Sequence, residues 1–303
     1  DEDSLSVHQQ EASDCFDGIL CESSPSFRIL AKQAKLLGKK VLVLSDGPDE
    51  LLNGYDVDLR VHNITQKMQK FSHEKRVCIK DLALTRESWL GRSQDLLNWA
   101  YLNSNPVATR PNHGGTAKNI MSELISESYK DAAFKKYGVS RDVEFMQYDS
   151  LDTLQRLSLG YLQSSLPDYV NTRSDRGSMK EGVEVRLPFL STSIVELSMS
   201  TPGKFRIDSK GRGKNILRTL VDKNIGGVIS KRNKYGFAAP FWMIPGNRDK
   251  IGMDDIINSS SIFDRDVFHK TVRQEVFKQG NERLVWMAYS LAMTERKLKE
   301  IRV

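Results

Sequence analysis

At 303 residues, with 39% hydrophobic and 28% charged content, the chain has an ordinary globular composition and enough length for one large or two small domains. No apolar run approaches the ~18 residues of a membrane span, and the net charge of +6 is spread over Lys39-Lys40, Lys135-Lys136, Lys231 to Lys234 and Lys297 to Arg302 rather than gathered into a nucleic-acid-binding stripe. Three cysteines (Cys15, Cys21, Cys78) and five histidines lack metal-type spacing, so the expectation is reduced thiols in an intracellular compartment, cytoplasm or organelle matrix alike.

Residues 1–25 are polar and acidic, with a short helix expected near Ala12 to Leu20. The chain begins at Asp1 rather than Met, which suggests a segment upstream. Pro25 opens a helix whose Phe27, Leu30, Ala31, Ala34 and Leu37 recur at helical spacing, and Gly38 closes it. Val41 to Leu44 then reads as a central strand covered on both faces, because the run is apolar without alternation. A helix leading into such a strand is the second half of a β-α-β crossover, which needs an earlier strand. Residues 1–11 hold no β-like run, so the sheet is expected to be completed from elsewhere.

Helices are expected over 61–105, with an apolar segment of Leu96, Leu97, Trp99, Ala100 and Leu102. The prolines and Gly-Gly of 104–116 predict a loop, and helices resume at 117–136 and 150–165. Residues 281–300 read as a core-packing helix carrying Leu284, Trp286, Met287, Leu291 and Met293. The organisation is thus one domain over 1–303: a polar segment to 25, a helix, strand and acidic turn over 26–55, and a helical region over 56–303.

Three clusters carry chemistry. The strand ends in Ser45-Asp46-Gly47-Pro48-Asp49-Glu50, and ligands of open α/β sheets bind beyond the carboxyl ends of strands. Carboxylates there suit Mg²⁺, which takes carboxylate, water and phosphate oxygens; solvation or helix capping is the plainer use of the same residues. In 167–190, Asp175, Arg176, Glu184 and Arg186 alternate with Met179, Val183, Val185, Pro188 and Phe189, which predicts partly buried ion pairs, Glu184 and Arg186 above all. In 212–240, Lys214, Arg218, Arg232 and Lys234 form a cationic set suited to phosphate oxygens, or else a solvated basic turn.

Taken together, VLVLSDGPDELLNGY, RSDRGSMKEGVEVRLPFL and GKNILRTL with SKRNKYGFAAP resemble, in order and spacing, three motifs of the synthetase domain of glutamine-dependent asparagine synthetases and the related β-lactam synthetases. The resemblance covers roughly residues 15–300. It implies an α/β but predominantly helical domain of the PP-loop ATP pyrophosphatase type, in which ATP activates a carboxylate as an acyl-adenylate for attack by ammonia or an amine. It implies Asp49 as the Mg²⁺ ligand, and Lys234 as the catalytic lysine that stabilises charge on the α-phosphate or the tetrahedral intermediate. Asp46 stands, after a one-residue gap, where that family has the Glu or Tyr that contacts substrate or activates the nucleophile. Ser45, Gly47, Glu50, Lys214 and Arg232 fall at nucleotide-contacting positions.

Departures accompany the matches. The PP-loop itself, Ser-Gly-Gly-x-Asp-Ser, does not occur in the 303 residues, nor does a glutaminase domain with an N-terminal cysteine. The turn has lost a glycine and gained Pro48, Asn53 replaces a glycine, and Ser191 replaces an aspartate. Two expectations stay open. One is a subunit of a split amide ligase acting on a small-molecule or peptide carboxylate, with ATP and Mg²⁺ bound only once a protein partner supplies the PP-loop. The other is a catalytically degenerate relative serving as a structural subunit. A generic helical interaction protein stands outside the resemblance.

Overall fold

The computed structural model describes Val7 and residues 23–84, 93–104, 150–163, 165–232, 246–250, 252–261 and 282–301. The expected helices at Ala12 to Leu20 and 117–136, and the loop at 104–116, lie essentially outside these residues. The first helix, α1 (Ser24–Leu36), has Pro25 in its first turn and buries Pro25, Phe27, Ala31 and Ala34. Leu30 and Leu37, expected on the same face, are exposed. The helix stops because Gly38 donates to Lys35 O and Lys39 to Ala34 O, which satisfies the last carbonyls.

Strand β1 (Val41–Val43) follows and pairs in parallel with β2 (Glu184–Arg186), in the register Val41 to Glu184 and Leu42 to Val185. This corrects the expectation that every strand partner would come from elsewhere: one lies about 140 residues further along the same chain, invisible to local pattern. Among the described residues the sheet has two strands. Leu42 packs on Ala31, Ala34 and Val183. The other face is open, with Val41 36% and Val43 68% exposed, so β1 is not a strand buried on both faces here.

Glu184 and Arg186 occupy that open face, and their side chains are 56% and 63% exposed while pairing with each other at 2.9 Å. The expectation of buried charges is therefore wrong. Apolar neighbours alternate with them onto the covered face, and the pleat leaves the charges in water.

The helical body gathers α3 (Asp56–Met68), α4 (His73–Leu84), α5 (Gln94–Ser104) and α6 (Thr153–Gln163). Val57, Val61, Ala83, Leu96, Trp99, Ala100, Leu102, Leu154 and Leu157 form their shared core. Each large side chain buried there contributes about 1.5–3 kcal/mol. A π-helical segment (Leu166–Asn171) runs into α7 (Thr172–Met179), which packs along α1. The C-terminal helix (Glu282–Ile301) buries Trp286, Ala288, Tyr289 and Ala292, in keeping with its reading as a core-packing helix.

Candidate active site at the carboxyl ends of the strands

Strand β1 leads through Ser45 and Asp46 to Gly47, whose φ of +111° starts the short helix α2 (Pro48–Leu51). Pro48 suits the first helical position, where a missing N–H costs nothing. A side chain at Gly47 would meet Leu190 Cδ2 at 2.4 Å, so the strand-to-helix turn needs a glycine on both conformational and steric grounds. The turn thereby gives its two aspartates different partners. Asp46 meets Arg173 of α7 at 3.5 Å, and Asp49 meets Lys214 at 2.7 Å. Burial pushes the Asp46 carboxyl up, with Arg173 opposing.

Glu50 turns inward instead and is almost fully buried, accepting a hydrogen bond from the Tyr55 hydroxyl at 2.5 Å. Burial, then the Glu50 carboxylate, push the Tyr55 phenol upward. Tyr55 tilts against Tyr161, whose hydroxyl donates to the buried Asp58 at 2.8 Å.

Beneath the turn lies Arg206, fully buried at the end of α9 (Gly203–Arg206). It donates to Leu51 O at 3.1 Å, Asn53 Oδ1 at 3.1 Å, Ser158 Oγ at 2.8 Å and Thr201 O at 2.9 Å, and also to Ser198 O. Asn53 in turn donates to Leu154 O at 3.0 Å, while the Lys214 amide bonds Leu52 O at 2.9 Å. Both non-glycine residues with positive φ among the described residues, Asn53 (+53°) and Lys214 (+60°), sit in this contact. Such conformations persist where surrounding structure over-determines them, and they cluster at functional sites.

An acidic turn at a strand's carboxyl end, gripped from below and faced by lysine and arginine, lies where ligands of open α/β sheets bind. The asparagine synthase family matches residues 2–296, nearly the whole chain. The chain belongs to that family. No curated protein and no solved structure matches it. The asparagine synthase family comprises ATP-dependent amidating ligases.

Within that family frame, Asp46, Gly47, Asp49 and Lys214 come together at one end of the strand pair. Ser45 is exposed beside them. Glu50 faces the core and accepts from Tyr55, which helps to hold the turn. Arg232 is joined through its carbonyl to Arg218, which follows Lys214 on α10 (Asn215–Asn224), and its side chain is exposed. Lys234 lies outside the described residues. Sequence reasoning missed Arg173, Asn53 and Arg206. Arg173 and Arg206 reach the turn from 127 and 155 positions away, counted from Asp46 and Leu51, which no local pattern reveals. Asn53 was readable only as a lost glycine, although asparagine is the residue that best tolerates a left-handed turn.

Proposed function

We propose that this chain supplies the strand, acidic turn and cationic wall of an ATP-dependent amide-forming site, in which a carboxylate is adenylated and then attacked by ammonia or an amine. The observation that carries the reading is the pairing of Asp49 with Lys214 at the strand end, beside the Asp46–Arg173 pair, where two non-glycine residues hold an uncommon backbone conformation. A purely structural subunit has little need for such a set.

Asp49 would be the residue that holds a Mg²⁺ ion. It stands beside a backbone wall, since a side chain at Gly54 would come within 1.9 Å of Asp49 Oδ1. Among the described residues no group of three or more His, Cys, Asp or Glu side chains could cage a metal alone, and Mg²⁺ commonly takes one or two carboxylates plus substrate phosphates. The ion, when bound, would neutralise charge on those phosphates. Lys214 adds fixed positive charge next to Asp49, and Lys234 joins the reading through its motif, as the cation facing the developing negative charge.

The PP-loop is assigned to a protein partner segment beyond these residues, with or without a glutaminase domain. Its strands would pair with the edge of β1 that is free among the described residues. The test is carboxylate-dependent exchange of labelled pyrophosphate into ATP, with the chain co-expressed beside a PP-loop-bearing segment of the same family. Exchange by the assembly but not by this chain alone is expected. Asp49→Asn and Lys234→Ala should each lower it at least ~100-fold with assembly intact. An intact assembly that exchanges nothing with any amino-acid or peptide carboxylate would make the chain a structural family member.

A further inference from the structure

The amide-ligase reading leaves one charged side chain of the site unassigned. Arg173 lies on the first turn of α7, wedged between the ring of Phe27 on α1, with its guanidinium carbon 5.4 Å from the centroid, and the ring of Tyr169, at 5.9 Å. Its Nη1 donates to Ser23 Oγ at 3.2 Å, and its Nη2 stands 3.5 Å from Asp46 Oδ1. The α7 helix is fixed against α1 at backbone distance: a side chain at Gly177 would come within 2.9 Å of Ser24 O. At the far end of the same contact Arg28 and Glu181 pair at 2.8 Å. The Ser174 hydroxyl supports the Asp46 carboxylate and also lies within reach of the carbonyls of Val170 and Asn171, and Asp46 Oδ2 is buried without a hydrogen bond among the described residues. Asp46 is thus held by a guanidinium that two aromatic rings keep in place, with the Ser174 hydroxyl beside it.

We propose that Arg173 is a positioning residue for Asp46 in the amide-forming half of the reaction, orienting the carboxylate that receives the proton of the attacking amine. The inference rests on the amide-ligase reading of the site. In the step concerned, the nitrogen lone pair attacks the acyl carbon and the C–N bond forms. The bond from that carbon to the phosphate oxygen breaks, and AMP leaves with its electron pair. The surplus proton on nitrogen passes to Asp46. Adenylation, the earlier half, needs no such proton acceptor, so the two halves separate this role from a scaffold role.

The experiment measures both halves on the assembly of this chain with its PP-loop-bearing segment: pyrophosphate exchange into ATP, and hydroxamate formation with hydroxylamine as the amine. Arg173→Ala should leave exchange within about threefold and lower hydroxamate formation about 100-fold, the scale of a positioned proton acceptor. Added guanidinium ion should restore much of that loss in Arg173→Ala and none in Asp46→Ala. The double variant should be no slower than Asp46→Ala. If Arg173→Ala does not fold, Arg173→Lys carries the same comparison, with a smaller loss of hydroxamate formation alone. A parallel fall of both halves, an unchanged hydroxamate rate, or rescue of Asp46→Ala by guanidinium overturns the proposal while the ligase reading stands. A wild-type assembly that exchanges nothing overturns both.

Discussion

Arg206 is the residue on which the site's geometry most depends. Burial pulls its guanidinium down to about 10, still charged at neutral pH, and its hydrogen bonds reach Leu51, Asn53, Ser158, Ser198 and Thr201. Removing the donor strands several buried acceptors, each worth about 1–3 kcal/mol. Arg206→Met should therefore destabilise the chain by about 3 kcal/mol or more in urea unfolding, and should weaken the Asp49–Lys214 approach as the turn relaxes. Glu184→Ala, at an exposed pair screened by water, should leave the melting temperature unchanged. A second residue-scale expectation concerns Asp58. Burial pushes its carboxyl from 3.8 up to about 7, against the Tyr161 hydrogen bond. The folded state then binds this proton more tightly than the unfolded state, so the contribution is full below pH 4 and is lost as pH rises toward 7. Asp58→Asn keeps an acceptor for Tyr161 but carries no charge. Its stability relative to wild type should rise across that window and level off above it, as read from denaturant midpoints at successive pH values.

The element that matters is the strand-turn-helix from β1 to α2. Its existence was legible: a β-favouring run broken by Asp-Gly-Pro can hardly continue as strand. The steric demand at Gly47 was not, because Leu190 belongs to a 3₁₀ turn (Pro188–Leu190) far along the chain. Gly47→Ala combines an unfavourable φ with a 2.4 Å contact. It should cost at least about 2 kcal/mol and displace Asp46 and Asp49 together, which near-normal unfolding midpoints would disprove. The α1 boundary was read to within a residue or two from Pro25 and Gly38, since both act through local backbone geometry alone. The burial of Glu184 and Arg186 was misread for the complementary reason: alternation gives the period of a strand but not which of its faces is covered.

At the scale of the molecule, the edge of β1 that is unpaired among the described residues is the feature that bears on assembly. Leu44 donates to Arg186 and Glu184 to Lys40, so the amides of Val41 and Val43, alternating with these, point to the other edge. An unpaired, apolar strand edge is a template for another strand. In this chain alone the Val43 amide should exchange with solvent as fast as a frayed terminus. On addition of the PP-loop-bearing segment it should become protected by about 100-fold or more, as a paired amide is when opening becomes unfavourable. Unchanged exchange in a complex that otherwise forms would place the partner elsewhere. No helix among the described residues is long and apolar enough to cross a membrane, in line with the short apolar runs of the sequence.

Three motifs in order pointed to the family that the match over residues 2–296 shows, because each is a short stretch whose residue types can be read without the rest of the fold. What the sequence alone could not decide was which distant side chains meet that turn. Arg173, Arg206 and Leu190 approach it across more than a hundred residues, and the second strand arrives the same way. Such contacts are set by how helices pack around one another, and packing leaves no periodic trace at the turn itself.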